Sequence, residues 1–356
     1  MKRIVKLIIW IFVISFFIIH SNYSDFKNFV LDKEMTLEVK EWETWRWILV
    51  NDFWFDKYFV IYSWIDKELK PQVWTYNFSS WSNLDKIIDT INKWPNQIIM
   101  QVTILPGWNM FDIDECLSNP EKNSWLNNKW VKVYCLNQVD WKWNKTPIKT
   151  GLINAWDYIK QVKNLSTYKS QYKFLNNALS LEWFLYPDTY NLNLDKFSVN
   201  DLIEIQLKTF NTKVYSKILS QLSPTDLMMY LNIASILQKE ENNKNNQQIV
   251  AWILLKRYKE NWMIWADATA CYAYEYTQEQ CKMNLSTHIT DKNDYNTRVM
   301  VWLPKTPICN PSYDTIYSMI NYKTTKYYYY LHNSTTWEIY YWETLDEHVA
   351  NKKYMN

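Results

Sequence analysis

Residues 223–240 read Ser-Pro-Thr-Asp-Leu-Met-Met-Tyr-Leu-Asn-Ile-Ala-Ser-Ile-Leu-Gln-Lys-Glu, and this stretch predicts the helix that organises the fold. Ser223 is a favoured N-cap residue, and proline suits the first turn that follows it. At about 100° per residue, Ile233 and Leu237 share a helix face with Glu240, so an apolar stripe ends in a carboxyl group. Burial raises the pKa of such a group, which favours general acid chemistry. From spacing alone, a solvated charge at a helix end is the favoured alternative.

Tryptophan and glycine occur in inverted proportions, with 22 Trp and 2 Gly among 356 residues. Ordinary proteins contain about 7% glycine, because turns and helix C-caps need residues that adopt positive φ. Several Trp residues stand in turn-like contexts, as in Ser-Ser-Trp-Ser-Asn around Trp81. We interpret most of them as glycines encoded by UGA, which some bacteria read as glycine, and expect them at turns, exposed or at unusual dihedrals. The alternative is a Trp-rich carbohydrate-binding protein.

The overall charge gives no indication of a nucleic-acid partner. The 39 basic and 37 acidic residues leave a formal charge of +2, without a basic stripe or tail. With 356 residues, of which 48% are hydrophobic, the chain is long enough for two domains with cores of their own.

The N-terminus carries an apolar run over residues 7–19, preceded by Lys2, Arg3 and Lys6. With residues 4 and 5 included, the run approaches the lower limit for a bilayer span. The positive charges favour a cytoplasmic N-terminus with the rest of the chain outside. No small-residue cleavage site follows, so we predict a transmembrane signal anchor over residues 1–22, holding the protein to the cell membrane through residues 4–19. A cleaved signal peptide is the alternative.

Five cysteines are compatible with an exported chain. Cys116 and Cys135 flank a polar insertion, and Cys271 and Cys281 are ten positions apart. Either pair could form a disulfide outside the membrane, and Cys309 is left over. The spacings match no zinc pattern, so we predict no metal, and nothing in the sequence indicates a cofactor.

The order of elements predicts the α+β class. Residues 35–39 and 75–78 have strand character, residues 84–91 have helical apolar spacing, and residues 97–105 form an Ile- and Val-rich strand. Residues 115–150 are polar and turn-rich, which predicts a loop or lid insertion. Loops, helices and strands mix after residue 180, unlike a regular βαβ array.

Several motifs become recognisable when the suspect Trp residues are read as glycine. The chain then resembles the YceG/MltG family of endolytic murein transglycosylases over residues 73–348. Residues 181–190 are similar to the family's L-E-G-[FY]-L-[FY]-P-D-T-Y, and residues 234–240 to its A-S-I-[IV]-E-K-E. Further similar segments are residues 73–76, 106–108, 265–269, 295–297, 302–304, 307–311 and 337–348. The segment 106–108 marks Trp108 as the one genuine tryptophan.

The resemblance implies a domain order and an activity. It places a small LysM-like α/β module at residues 30–103 and a mixed α+β catalytic domain at residues 104–356, outside the membrane. Members cleave the MurNAc–GlcNAc β-1,4 bond of peptidoglycan strands and leave 1,6-anhydro-MurNAc ends. Glu240 would be the general acid and then the base, without the carboxylate pair that hydrolases use. Peptidoglycan synthases are possible partners.

The same motifs supply candidate substrate-binding residues. Asn side chains can bind N-acetyl groups, Thr can bind hydroxyls, Tyr offers an apolar face, and acidic residues can position the sugar or orient Glu240. These candidates are Glu182, Asp188, Gln238, Asp267, Thr269, Tyr295, Asn296, Thr297, Asn310 and Tyr340. Turn or core roles are the alternative for several of them.

Three positions depart from the family pattern. Gln238 stands where the family has Glu, Lys305-Thr306 where it has Pro-Gly, and Ser312 where it has Gly. Two other functions stay open. One is a wall-binding scaffold without activity, and the other is a hydrolase that uses Asp267 or Glu182 as its second carboxylate.

Overall fold

The structure is a computed structural model that describes residues 30–38, 75–83, 86–87, 90, 99–126, 132–139 and 144–352. The chain divides into two compact units. One comprises Met1–Met100, Gln138–Thr146 and Asn193–Lys196, and the other comprises Gln101–Asn137, Pro147–Leu192 and Phe197–Asn356. The predicted anchor over residues 1–22 lies outside the described residues. Within the described ranges, no helix is both long and apolar enough to cross a bilayer.

In the first unit, strands β1 (Met35–Glu38) and β2 (Thr75–Phe78) pair in antiparallel register, with Met35 opposite Phe78. Leu37, Tyr76 and Phe78 are buried. Both strands agree with the sequence prediction. The helix predicted over residues 84–91 falls mostly outside the described residues, although residues 86, 87 and 90 are helical. The LysM-like character of this region stays a prediction.

A four-stranded sheet follows the order β7-β6-β3-β8, and β4 pairs with β5 in an antiparallel hairpin. The strands are β3 (Ile99–Thr103), β4 (Ser124–Leu126), β5 (Lys132–Tyr134), β6 (Leu136–Val139), β7 (Lys145–Pro147) and β8 (Thr189–Asn193). In the described part of residues 115–150, the predicted loop or lid contains β4 to β7 and the end of a helix. In β6, Leu136, Asn137 and Val139 are buried and Gln138 is exposed, and the burial of Leu136 and Val139 explains why this polar stretch still forms sheet.

Eight α-helices of the described residues belong to the second unit: α1 (Met110–Ser118), α2 (Asp157–Lys163), α3 (Val199–Phe210), α4 (Pro224–Glu240), α5 (Lys244–Lys259), α6 (Gln278–His288), α7 (Tyr313–Ile320) and α8 (Leu345–Lys352). The α3 helix continues as a π-helix over Asn211–Leu219. Helices α4, α5 and α7 pack against one another. Ile233, Ile236 and Leu237 of α4 are fully buried.

The α4 helix begins and ends as its sequence predicts. The Ser223 side chain accepts a hydrogen bond from the Asp226 amide at 3.1 Å, with Pro224 in the first turn. Glu240 is the last helical residue. Because these capping signals are local, the sequence alone determines where the carboxyl group of Glu240 falls along the helix.

Strands β9 (Tyr329–His332) and β10 (Ile339–Trp342) form an antiparallel hairpin in which Tyr330 lies opposite Tyr341. Helix α8 packs on both strands. This C-terminal hairpin brings Tyr330 to the end of α4, where it contacts Glu240.

The backbone conformation of several Trp residues is unusual. Of the six non-glycine residues with positive φ in the described ranges, four are Trp: Trp81 (65°), Trp156 (75°), Trp265 (58°) and Trp337 (60°). Each of the four is at least 40% exposed. Left-handed backbone favours glycine, and for a bulky residue it is an outlier. These four positions therefore have the conformation and the exposure that we expect of glycine sites.

Two predicted disulfides are present, Cys116–Cys135 and Cys271–Cys281, whereas Cys309 is free and buried. The first joins α1 to the segment between β5 and β6. The second joins the start of a short turn to α6. Disulfides of this kind persist in oxidising compartments.

Candidate functional site

The carboxyl group of Glu240 is the centre of the candidate site. Its Oε2 accepts a hydrogen bond from Tyr330 Oη at 2.8 Å. Burial raises the pKa of the Glu240 carboxyl, and the hydrogen bond from Tyr330, which favours the carboxylate, opposes that rise. The charge of Asp267 raises the pKa further. The environment thus favours a protonated carboxyl group, the form that a general acid needs.

Tyr330 is held in the protonated form. Burial raises its pKa well above the usual value for tyrosine, and the neighbouring Glu240 carboxylate raises it further. Its hydroxyl therefore remains a hydrogen-bond donor to Glu240 across the neutral pH range.

Asp267 begins a short 3-10 turn, Asp267–Ala270, next to the site. Two buried threonines build this turn, since Thr269 Oγ1 lies 2.9 Å from Thr297 Oγ1 and the Ala266 amide donates to Thr297 Oγ1 at 3.1 Å. The Asp267 side chain forms an ion pair with Arg298. The hydroxyls of Thr269 and Thr297, predicted to bind sugar, contact each other beside Asp267, and their role in sugar binding stays a prediction.

Two cavities meet at Glu240 and Asp267, which line both of them. The first, which we call the disulfide cavity, measures about 240 Å³. Cys271 and Cys281 line it, together with Tyr272, Tyr276, Lys239 and Lys282. A chain of sugars that occupied both cavities would pass the Glu240 carboxyl at their junction.

The second cavity, which we call the arginine cavity, measures about 340 Å³. Its basic lining residues are Arg257, Arg298, His332, His348 and Lys352, and Trp265, Tyr329, Tyr330 and Leu331 complete it around the two acidic residues. Burial lowers the pKa of the Arg257 guanidinium, and burial likewise lowers the pKa of His348. The hydrogen bond between His332 Nε2 and Glu241 Oε2, at 3.2 Å, raises the pKa of His332.

Glu182 lies in a different environment. Its Oε1 accepts a hydrogen bond from the Met110 amide at 2.8 Å, and its Oε2 accepts one from the Tyr272 hydroxyl. Burial raises the pKa of Glu182 to about 7. Glu182 lines a third cavity, of about 370 Å³, which shares Tyr272 with the disulfide cavity. Glu182 lines neither of the cavities that meet at Glu240, and the Tyr272 hydroxyl that it binds belongs to a residue of the disulfide cavity.

The remaining predicted residues lie outside the two cavities. Gln238 accepts hydrogen bonds from the Ser312 amide and the Thr315 hydroxyl at 2.9 and 2.8 Å, so it secures the start of α7. Asn310 and Asn296 are buried and hold loop backbone: Asn310 donates to the Trp108 carbonyl, and Asn296 to the Asp291 carbonyl. The other placements are Tyr295 against Thr306 in the third cavity, Asp188 paired with Lys213, and an exposed Tyr340 beside Glu338.

Sequence reasoning missed Tyr330, Arg257 and Arg298. Tyr330 stands in a run of four tyrosines, residues 327–330, and strand alternation could have assigned Tyr328 and Tyr330 to one face. The arginines could have been noticed because the chain is rich in lysine and has only four arginines. Three Trp residues stand in the family-like motifs: Trp265 lines the arginine cavity, Trp183 is buried at the third cavity, and Trp302 is exposed.

The chain was compared with known proteins. A family model described as the YceG-like family matches residues 48–354. An endolytic murein transglycosylase of Bacillus subtilis is 23% identical over 285 residues, which covers 79% of this chain and 72% of that protein. An endolytic murein transglycosylase of Streptococcus pneumoniae is 25% identical over 177 residues, covering 48% of this chain and 31% of that protein.

Among solved structures, a crystal structure of a yceG-like protein from Listeria monocytogenes superposes with a TM-score of 0.53 at 18% sequence identity. The match covers 90% of this chain and 99% of that one. At this identity the likeness concerns the fold.

Proposed function

This chain belongs to the YceG-like family, and from that membership we propose that it is a lytic transglycosylase that cleaves the MurNAc–GlcNAc β-1,4 bond within peptidoglycan strands. Relatives named endolytic murein transglycosylase support the activity and the substrate. The observation that carries the proposal is the position of Glu240, a carboxyl group of raised pKa at the junction of two cavities.

In the proposed reaction Glu240 acts twice. First, the protonated carboxyl donates its proton to the glycosidic oxygen as the bond from the MurNAc anomeric carbon to that oxygen breaks. The C6 hydroxyl of the same MurNAc then forms a bond to the anomeric carbon, and its proton passes to the Glu240 carboxylate. The carboxyl group is restored, the product carries a 1,6-anhydro ring, and no water is consumed.

Tyr330 and Asp267 adjust the acidity of Glu240 in opposite directions. The Tyr330 hydroxyl stabilises the carboxylate that forms after the first proton transfer, and the Asp267 charge favours the return of the proton. Because one group must be first acid and then base, a balance between these two influences suits both half-reactions.

A carboxylate-pair hydrolase is the second candidate, favoured by one observation: Asp267 lines both cavities together with Glu240. In that reaction the second carboxylate would activate water or attack the sugar. The ion pair between Asp267 and Arg298 argues against this role, because the guanidinium occupies a carboxylate oxygen that would have to face the water or the sugar. The inactive scaffold is the third candidate.

The decisive experiment is to incubate the protein with purified peptidoglycan and to determine the masses of the released glycans. A transglycosylase releases ends that are one water lighter than reducing MurNAc, and Glu240→Gln abolishes them. A hydrolase releases reducing ends. An inactive scaffold releases neither, while Glu240→Gln leaves its retention on peptidoglycan unchanged. The matched control is Glu260→Gln, an exposed glutamate beyond the end of α5.

We further propose that the protein is held in the cell membrane by residues 4–19, with the LysM-like module and the catalytic domain outside. The two disulfides support an oxidising surrounding for the second unit. Peptidoglycan synthases would be natural neighbours there. Digestion of the catalytic domain by a protease added to intact cells stripped of their wall, compared with lysed cells, distinguishes the two sides of the membrane.

We also propose that most of the Trp positions are glycine in the native protein. Four of the eleven Trp residues in the described ranges have positive φ and are exposed, which supports this interpretation. By contrast, Trp108 is buried and packs edge-on against Trp125 with ring centroids 6.0 Å apart, as a genuine tryptophan would. Peptide mass spectrometry of the protein from its native cells decides each position, since glycine and tryptophan differ greatly in mass.

A further inference from the structure

The placement of the arginines points to a selective site. Only 4 of the 39 basic residues in the chain are arginines. Two of them, Arg257 and Arg298, fall in the described part of the chain, and both line the arginine cavity. Arginine is the side chain best suited to carboxylates, because its planar fork donates two parallel hydrogen bonds. Because most basic residues of the chain are lysines, the composition alone does not explain why both described arginines line this one cavity.

Arg257 supplies a buried positive charge. It is 5% exposed, and its guanidinium donates to the carbonyls of Tyr328 and Ile264 at 2.6–2.9 Å. Among the residues that the structure describes, no carboxylate lies within ion-pair distance of it. Its charge partner is Glu240, which is neutral in the acid form, so the buried guanidinium then lacks a counterion, and an anion entering the cavity would relieve the cost of its burial.

Arg298 and Lys352 supply charges that a ligand can reach. Arg298 is partly exposed and contacts Asp267 through Nη1 alone, which leaves the remainder of its fork to other acceptors. Lys352 is exposed at the end of α8. The Nδ1 atom of His348 is buried without a hydrogen-bond partner, although His348 lines the same cavity. Arg298, Lys352 and His348 therefore offer hydrogen-bonding groups to a polar ligand in this cavity.

The acidic residues of the cavity do not cancel this charge. Glu240 is uncharged while it acts as the acid, which leaves the Asp267 carboxylate against three cations. His332 faces Glu241, so these two compensate each other. The cavity thus attracts anions in the state of the enzyme that binds substrate.

We propose that the arginine cavity binds a carboxylate carried on the lactyl side of MurNAc, either the lactyl carboxylate itself or a carboxylate of the peptide stem attached to it. This inference rests on the proposed function, because the reaction requires a free C6 hydroxyl on the MurNAc that is cleaved. An anionic group on that sugar must therefore come from the C3 side. The cavity makes the enzyme sensitive to the state of the stem.

The test measures binding and not cleavage, so that it stays separate from the test of the activity. Soluble peptidoglycan fragments are titrated into the Glu240→Gln protein by calorimetry in three forms: with intact stems, with the stem carboxylates converted to amides, and with the stems removed to leave the lactyl carboxylate. The same titrations are made with Arg298→Gln and Lys352→Gln added. The control adds Lys259→Gln, an exposed residue at the end of α5.

We expect Arg298→Gln to weaken binding of the intact fragment about tenfold, as for one lost charge-assisted pair, with little effect on the amidated fragment. We expect Lys352→Gln to act in the same direction and Lys259→Gln to have no effect. A loss confined to the intact form identifies the stem as the source of the carboxylate. A loss confined to the stem-free form identifies the lactyl group.

Two outcomes overturn the proposal. One is equal binding of all three fragments by the parent protein, even where the cleavage assay yields anhydro ends. The other is a loss in Arg298→Gln that is the same for all three fragments, with Lys352→Gln unchanged. In that case Arg298 only orients Asp267, and the cavity does not recognise the carboxylate of the fragment.

Discussion

Tyr330 Oη lies 2.8 Å from Glu240 Oε2, although 90 positions separate the two residues in the chain. The contact joins the end of helix α4 to strand β9. It places a permanent hydrogen-bond donor on the carboxyl group that we propose as the acid, and so couples the C-terminal hairpin to the chemistry of the site.

Replacing Tyr330 by Phe removes the donor and keeps the ring. Because the hydrogen bond favours the carboxylate, its loss raises the pKa of Glu240 further. We expect the pH–rate limb that reports Glu240 to move to higher pH and the rate at neutral pH to fall about tenfold. The measurement is the pH dependence of anhydro-end formation. A lower rate with an unmoved limb would mean that Tyr330 acts only through packing.

Glu182 should make stability depend on pH. Burial raises the pKa of Glu182 from 4.5 to about 7. The stabilisation of the folded state by the protonated side chain is therefore fully present below pH 4.5 and is lost as the pH rises through 7. Relative to Glu182→Gln, the wild-type protein should lose about 3 kcal/mol of unfolding free energy over this range. Urea unfolding of both proteins between pH 4 and pH 8, as approximate bounds, measures the difference. A constant difference would place an ionised carboxylate at this position.

The Cys271–Cys281 disulfide should stabilise the wall of the disulfide cavity. It closes a loop with a separation of 10 residues, and replacing both cysteines by Ser should cost about 3 kcal/mol. We also expect a higher KM, because both residues line the cavity. Thermal unfolding and steady-state kinetics test the two effects. The comparison is the double Ser variant of Cys116 and Cys135, for which we expect a similar loss of stability with an unchanged KM.

Trp337 and Trp108 should respond oppositely to glycine. Trp337 has a φ of 60° and is exposed, so Trp337→Gly relieves left-handed strain and should stabilise the protein by about 1 kcal/mol. Trp108 is buried, and Trp108→Gly should cost about 4 kcal/mol. Chemical unfolding of both variants provides the comparison. Destabilisation by Trp337→Gly would count against glycine as the native residue there.

Local sequence signals predicted the local structure well. Ser223 and Pro224 determine the start of α4, and the apolar spacing carries the helix to Glu240. Cys116 with Cys135 and Cys271 with Cys281 were open as possible pairs from the sequence, and both are bonded in the structure. The short strands within residues 115–150 were not predicted, because strands as short as three residues leave little alternation to detect.

Contacts between residues far apart in the chain could not be predicted from the sequence. Thr269 and Thr297 carry hydroxyl groups that suit sugars, but a single sequence does not reveal that each satisfies the other. The partnership of Tyr330 with Glu240 depends on the packing of a C-terminal hairpin against a helix end. Gln238 follows the same pattern, since its partners Ser312 and Thr315 lie more than 70 positions away.

The disulfide in the wall of the disulfide cavity also determines when the site is completed. A wall that is joined by Cys271–Cys281 is completed only where thiols are oxidised. A newly made chain in a reducing compartment would hold Glu240 beside an unfinished wall. Under the location outside the membrane that we propose, the site would mature only after export, next to the polymer that we propose as its substrate.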